Sequence, residues 1–85
     1  MGETLVEVGR VSHFFGKINV AIIEVTDTIL VGDKIVIKGP TTDLEQTVNS
    51  MEIEHAKVKQ ARAGQSIGMK VQGQVRENDT VYKTD

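Results

Sequence analysis

The chain has 85 residues, 39% hydrophobic and 26% charged, the balance of an ordinary soluble globular domain and not of a disordered segment. Ten Lys and Arg against twelve Asp and Glu leave a formal net charge of -2, which argues against a general nucleic-acid wrapper, since displacing phosphate counterions takes an excess of cations. Cysteine is absent, which excludes disulfides and thiolate metal sites, and the longest aliphatic run, Val20-Ala21-Ile22-Ile23, is far shorter than the ~20 residues a membrane span needs. With no apolar signal core at its N-terminus, the chain is expected in the cytoplasm.

The aliphatic residues are largely β-branched and fall in short segments between turn signals at Gly32-Asp33, Gly39-Pro40, Ala63-Gly64 and Asn78-Asp79. In chain order, His13-Phe14-Phe15 precedes a turn at Gly16. If that segment is a strand, Phe14 and Phe15 face opposite ways, because side chains alternate across a sheet. Two readings stand there: both rings cover a barrel end, or Phe15 joins His13 and Lys17 in a rim contact site. From Ile18 to Val25 the chain is apolar on both faces, with Ile18, Val20 and Ile22 on one and Ala21, Ile23 and Val25 on the other. Such a strand is expected to be covered on both sides or to turn a corner between two sheets.

After Gly32-Asp33 the alternation is cleaner. Ile35 and Ile37 should point inward, opposite Lys34, Val36 and Lys38. Met51 and Ile53 alternate with Glu52 and Glu54. The stretch Glu54 to Ala63 carries Val58 as its only large aliphatic, too little for a helix stripe, so it reads as a loop with a short strand around Lys57 to Ala61. Ile67, Met69 and Val71 oppose Gly68, Lys70 and Gln72, and Val81-Tyr82 forms a last strand after Glu77-Asn78-Asp79. The expectation is an all-β fold, a small closed antiparallel barrel of six to seven strands, with residues 1–85 as one domain.

Catalytic signatures are missing. His13 and His55 are far apart in sequence, Gly16-Lys17 lacks the upstream glycine of a phosphate loop, and no serine has a nucleophile-elbow context. The sequence thus predicts a non-enzyme with no cofactor and no metal.

The segment Ile29-Leu30-Val31-Gly32-Asp33-Lys34-Ile35-Val36-Ile37-Lys38-Gly39 resembles domain two of the translational GTPases, the barrel that follows the G domain in elongation factor Tu and elongation factor one-alpha. Val48-Asn49-Ser50-Met51-Glu52-Ile53-Glu54-His55 is similar to the family strand Val-Lys-Ser-Ile-Glu-Met-His-His. Ala63-Gly64-Gln65-Ser66-Ile67-Gly68 is similar to the turn that follows it, and Val71-Gln72-Gly73 stands where the family has a hydrophobic residue, arginine and glycine. The front half, with His13-Phe14-Phe15-Gly16-Lys17 and Thr26-Asp27-Thr28 in place of the family's glycines, looks closer to small stand-alone translation-factor-like barrels and to the barrel appended to collagenase-like U32 peptidases. No G domain and no guanine-reading motif are present, so GTP binding is not expected from this chain.

The resemblance implies two functions of different class. In the first, the chain is a non-catalytic module that contacts RNA or the translation apparatus. Glu52 then stands where the family's glutamate contacts the terminal adenosine of tRNA, and His55 where a histidine or arginine follows. A carboxylate there accepts a hydrogen bond from a ribose 2′-hydroxyl. His55, Lys57 and Lys59 share a face if the chain is extended, with Arg62 nearby, either as a solvated face or as a phosphate-contacting stripe. In the second, the chain is an accessory barrel that docks on another protein such as a U32-type peptidase.

Overall fold

The alternating β-branched segments all become strands. A computed structural model describes residues 4–84, and among them are ten strands and no helix. They are β1 (Leu5–Phe15), β2 (Val20–Val25), β3 (Ile29–Leu30), β4 (Lys34–Lys38), β5 (Asp43–Thr47), β6 (Met51–Ile53), β7 (Ala56–Val58), β8 (Gln60–Ala61), β9 (Ser66–Lys70) and β10 (Thr80–Thr84). Eight form one antiparallel sheet in the order β5-β4-β10-β1-β2-β9-β6-β7, while β3 and β8 pair apart from it.

The long strand β1 wraps the core by bending twice. Its register shifts against β10 between Glu7 and Gly9, and against β2 between Val11 and His13. Such irregularities bend a strand and increase its twist. Gly9 stands at the first bend, where a Cβ would lie 2.7 Å from Ile23 Cγ2 and 2.9 Å from the Glu24 carbonyl oxygen. Only a residue without a side chain lets β1 approach β2 so closely.

One core collects the inward faces. Val8, Val11, Ile23, Ile35, Ile37, Met51, Met69 and Val81 are fully buried, and Ile67 and Val71 nearly so. The inward faces expected for β4, β6 and β9 are therefore correct. Val36 departs from expectation. It lies on the outer face of β4 yet is only 6% exposed, because Tyr82 and Glu45 flank it on the neighbouring strands.

Two features of the expected barrel need correction. The strands number ten, not six or seven, partly because the Lys57 to Ala61 stretch breaks into β7 and β8 at Lys59, whose carbonyl accepts the Val31 N–H at 3.0 Å and draws the chain toward β3. The ladder is also not closed: its ends are β5 and β7. A side chain anchors the β5 end instead. Gln46 of β5 is 5% exposed. Its Nε2 donates to the Lys70 carbonyl at 3.0 Å, and its Oε1 accepts from the Gln72 N–H at 2.7 Å. This buried amide, with donor and acceptor both satisfied, ties β5 to the end of β9, and the sheet is barrel-like without continuous backbone closure.

Candidate functional site

The two faces of β2 have different fates. Ala21, Ile23 and Val25 are sealed in the core, but Val20 and Ile22 on the other face are only partly covered. Cover on the second face is thus only partial, and the strand registers give the reason. Ile22 stands between His13 on β1 and Gly68 on β9. Glycine has no side chain to lie across an isoleucine. The β1–β2 turn adds to the bare surface: Ile18 is 57% exposed and Phe15 45%. Asn19 takes φ 55 there, a left-handed conformation that asparagine tolerates better than most residues.

The hairpin of β6 and β7 supplies the opposite wall. Glu52 pairs with Gly68 on one side and Lys57 on the other, so one row crosses five strands as His13, Ile22, Gly68, Glu52 and Lys57. The hairpin turn is made by Glu54 at φ 50 and His55 at φ 67. Two consecutive positive φ values suit a two-residue hairpin, but such turns usually carry Asn-Gly or Asp-Gly. A side chain held in that region costs about 1–3 kcal/mol, and such residues gather at functional sites. Between the β1–β2 turn and this hairpin lies a groove of about 490 Å³, in the size range of ligand and side-chain pockets.

The groove has an aliphatic floor of Val20 and Ile22, with Gly68 leaving its middle open. Glu52, Glu54 and His55 stand at the hairpin side and Lys70 beside Val20. Glu24 is occupied by a hydrogen bond from the Ser66 hydroxyl. The ion pairs among the described residues lie elsewhere, at His13–Glu77 (3.1 Å) and Lys34–Glu45 (3.7 Å). Glu52 and Glu54 therefore face solvent with no cation within ion-pair distance among the described residues. No group of three or more His, Asp or Glu side chains among those residues is placed to hold a metal ion.

The sequence-predicted residues divide. Glu52, His55 and Phe15 line the groove. His13 lies in the same cross-strand row, its ring 4.4 Å from that of Phe15 in an edge-on arrangement. Lys17 sits in the β1–β2 turn outside the lining. The proposed basic face is not continuous. His55 is a turn residue, not part of an extended run, Lys57 is on β7, Lys59 is in a bend, and Arg62 precedes the turn before β9, where its N–H donates to Gln65 Oε1. Sequence reasoning missed Val20, Ile22 and Gly68 as wall and floor. Their signal was the second apolar face of β2, but only the register reveals that a glycine lies opposite.

No family model matches the chain. Over 78 residues, 91% of its length, it is 44% identical to an uncharacterized protease of Methanocaldococcus jannaschii, of which it spans 19%. Over 80 residues, 92% of its length, it is 38% identical to a collagenase of Porphyromonas gingivalis, of which it spans 22%. The chain thus spans about a fifth of the length of these curated relatives. Among solved structures, it matches the C-terminal domain of a putative U32 peptidase from Geobacillus thermoleovorans with TM-score 0.88 and 18% identity, covering 93% of this chain and 92% of that one. The two share one fold. GDP-bound aIF5B of Aeropyrum pernix matches with TM-score 0.62 and 17% identity, over 93% of this chain and 15% of that one. The resemblance to a translational GTPase barrel therefore holds at the level of fold, and the likeness to the peptidase-appended barrel is closer.

Proposed function

We propose that the chain is a non-catalytic accessory barrel that works by contacting a peptidase-type catalytic unit. The observation that carries this reading is the match of nearly the whole chain, at 44% and 38% identity, to a domain-sized fifth of a protease and a collagenase. The fold it shares with a peptidase C-terminal domain supports the same reading. A barrel of this kind supplies surface, not reacting groups, and its contribution is to position a partner or a substrate for chemistry done elsewhere. The test is light scattering after size-exclusion chromatography of the chain mixed with a U32-type peptidase lacking its own C-terminal domain. Co-elution at equimolar ratio is expected. Separate elution at every concentration up to the solubility limit would contradict it.

A second reading, contact with RNA, is favoured by the aIF5B likeness and by the placement of Glu52 in a groove. Under it, Glu52 accepts a hydrogen bond from a ribose 2′-hydroxyl, while Lys57, Lys59 and Arg62 approach phosphate. The pair Glu52 and Glu54 works against it, because two carboxylates at one groove wall repel a phosphodiester. Under this reading Glu52→Ala weakens binding of an RNA ending in CCA and leaves its deoxy counterpart unchanged; equal binding of both by parent and variant removes it.

A further inference from the structure

We infer that the groove over β2 and β9 receives a short segment of a protein partner in which aliphatic side chains stand next to lysine or arginine. The inference rests on the accessory-barrel reading and names the surface and the chemistry that reading leaves open. Three observations carry it. The floor is aliphatic and only half-buried, with Ile18 57% and Phe15 45% exposed at its mouth. Isolated exposed aliphatics are ordinary, but apolar residues gathered in one concavity mark an interaction site. Two carboxylates, Glu52 and Glu54, stand at one wall with no ion-pair partner among the described residues, so a basic side chain seated beside an aliphatic one would meet complementary charge.

The third observation is that the wall is held at a cost. Glu54 and His55 occupy the positive-φ positions of the β6–β7 turn, where Asn-Gly would sit without strain. The strained turn keeps a carboxylate and an imidazole at the groove edge. Lys70 lies at the other end, beside Val20. That places the basic residue of the guest toward Glu52 and Glu54, and leaves room for an acidic or free carboxyl group toward Lys70. Against RNA as the guest, Lys57, Lys59 and Arg62 are not part of the lining, and Phe15 is its only six-membered ring.

Gly68 makes the inference testable without unfolding the protein. Its backbone is not in the positive-φ region, and a Cβ there would sit 3.6 Å from Val20 Cγ1 and 3.8 Å from Ile22 Cδ1, ordinary contact distances. Gly68→Val therefore puts a β-branched side chain, a good strand former, on the floor of the groove. The experiment is an amide NMR titration of the isotope-labelled full chain with three probes. These are a capped hexapeptide alternating lysine with isoleucine, the same peptide with serine for isoleucine, and a cytidine-cytidine-adenosine trinucleotide. The lysine–isoleucine peptide is expected to give saturable shifts at Ile18, Val20, Ile22 and Gly68. Gly68→Val should abolish those shifts while preserving the dispersed spectrum. The double variant Glu52→Lys, Glu54→Lys should weaken that peptide about tenfold, and a fourth probe, a glutamate–isoleucine peptide, should bind the double variant better. No saturable shift, an equal response to the serine peptide, or stronger shifts with the trinucleotide would overturn the inference. None of these arms contains a peptidase, so failure here is distinct from failure of the co-elution test.

Discussion

β4 and β2 both carry aliphatic residues on the outer face, yet only β2 leaves them half-exposed. Val36 is nearly buried there because Tyr82 and Glu45 flank it, whereas Ile22 is only half-buried because one of its flanking residues is Gly68. The two strands share a high β-propensity, although β2 is apolar on both faces while Val36 stands between two lysines on the outer face of β4. What separates them is the identity of the cross-strand neighbour. A sheet's outer face is thus apolar and closed or apolar and open according to a register that the strand itself does not specify. The groove is the consequence.

The largest effect expected belongs to the shared inner layer, where the two strands should behave alike. Ile37→Ala and Ile23→Ala should each cost roughly 2–5 kcal/mol by urea unfolding, because both side chains are fully buried. A marked disparity would mean that the core is not common to both strands. Gly64, which joins β8 to β9 at φ 92, should lose about 1–3 kcal/mol on change to Val, since the open space around it does not relieve the backbone strain.

The outer faces should then diverge. Val36→Ala should cost about 1–2 kcal/mol, the loss of a covered apolar group, while Ile22→Ala should stay within about 1 kcal/mol despite removing more carbon. Equal or reversed costs would break the comparison. Replacing Glu54-His55 by Asn-Gly should raise stability by about 1 kcal/mol, measured by thermal unfolding, and weaken whatever the groove binds. The smallest change expected is Lys38→Ala, within about 0.5 kcal/mol, as for an exposed residue on the outer face of β4.

Much of this architecture was legible in the residues themselves. The inward sets Ile35/Ile37 and Ile67/Met69/Val71 follow from a period of two, and the tight turn at Gly64 from its turn signature. That the sheet stays open between β5 and β7, with the buried Gln46 tying β5 to Lys70 and Gln72, was not legible, because both depend on strand order. The candidate site was legible in halves. Glu52, His55 and Phe15 could be singled out from the sequence, but Gly68 reads as an unremarkable outward residue until β9 is paired with β2. The shared face of His55, Lys57 and Lys59 was conditional on an extended chain, a condition the positive-φ turn at His55 and the bend at Lys59 do not meet.

The claim at the centre of this account is that the half-exposed outer face of β2, beside Gly68, is covered by a protein partner. Calorimetric titration of a U32-type peptidase lacking its C-terminal domain into the parent chain and into Gly68→Val tests it directly. The account predicts saturable binding to the parent, at least about tenfold weaker binding to the variant, and closely similar melting temperatures for the two chains. Equal affinity for parent and variant would contradict it.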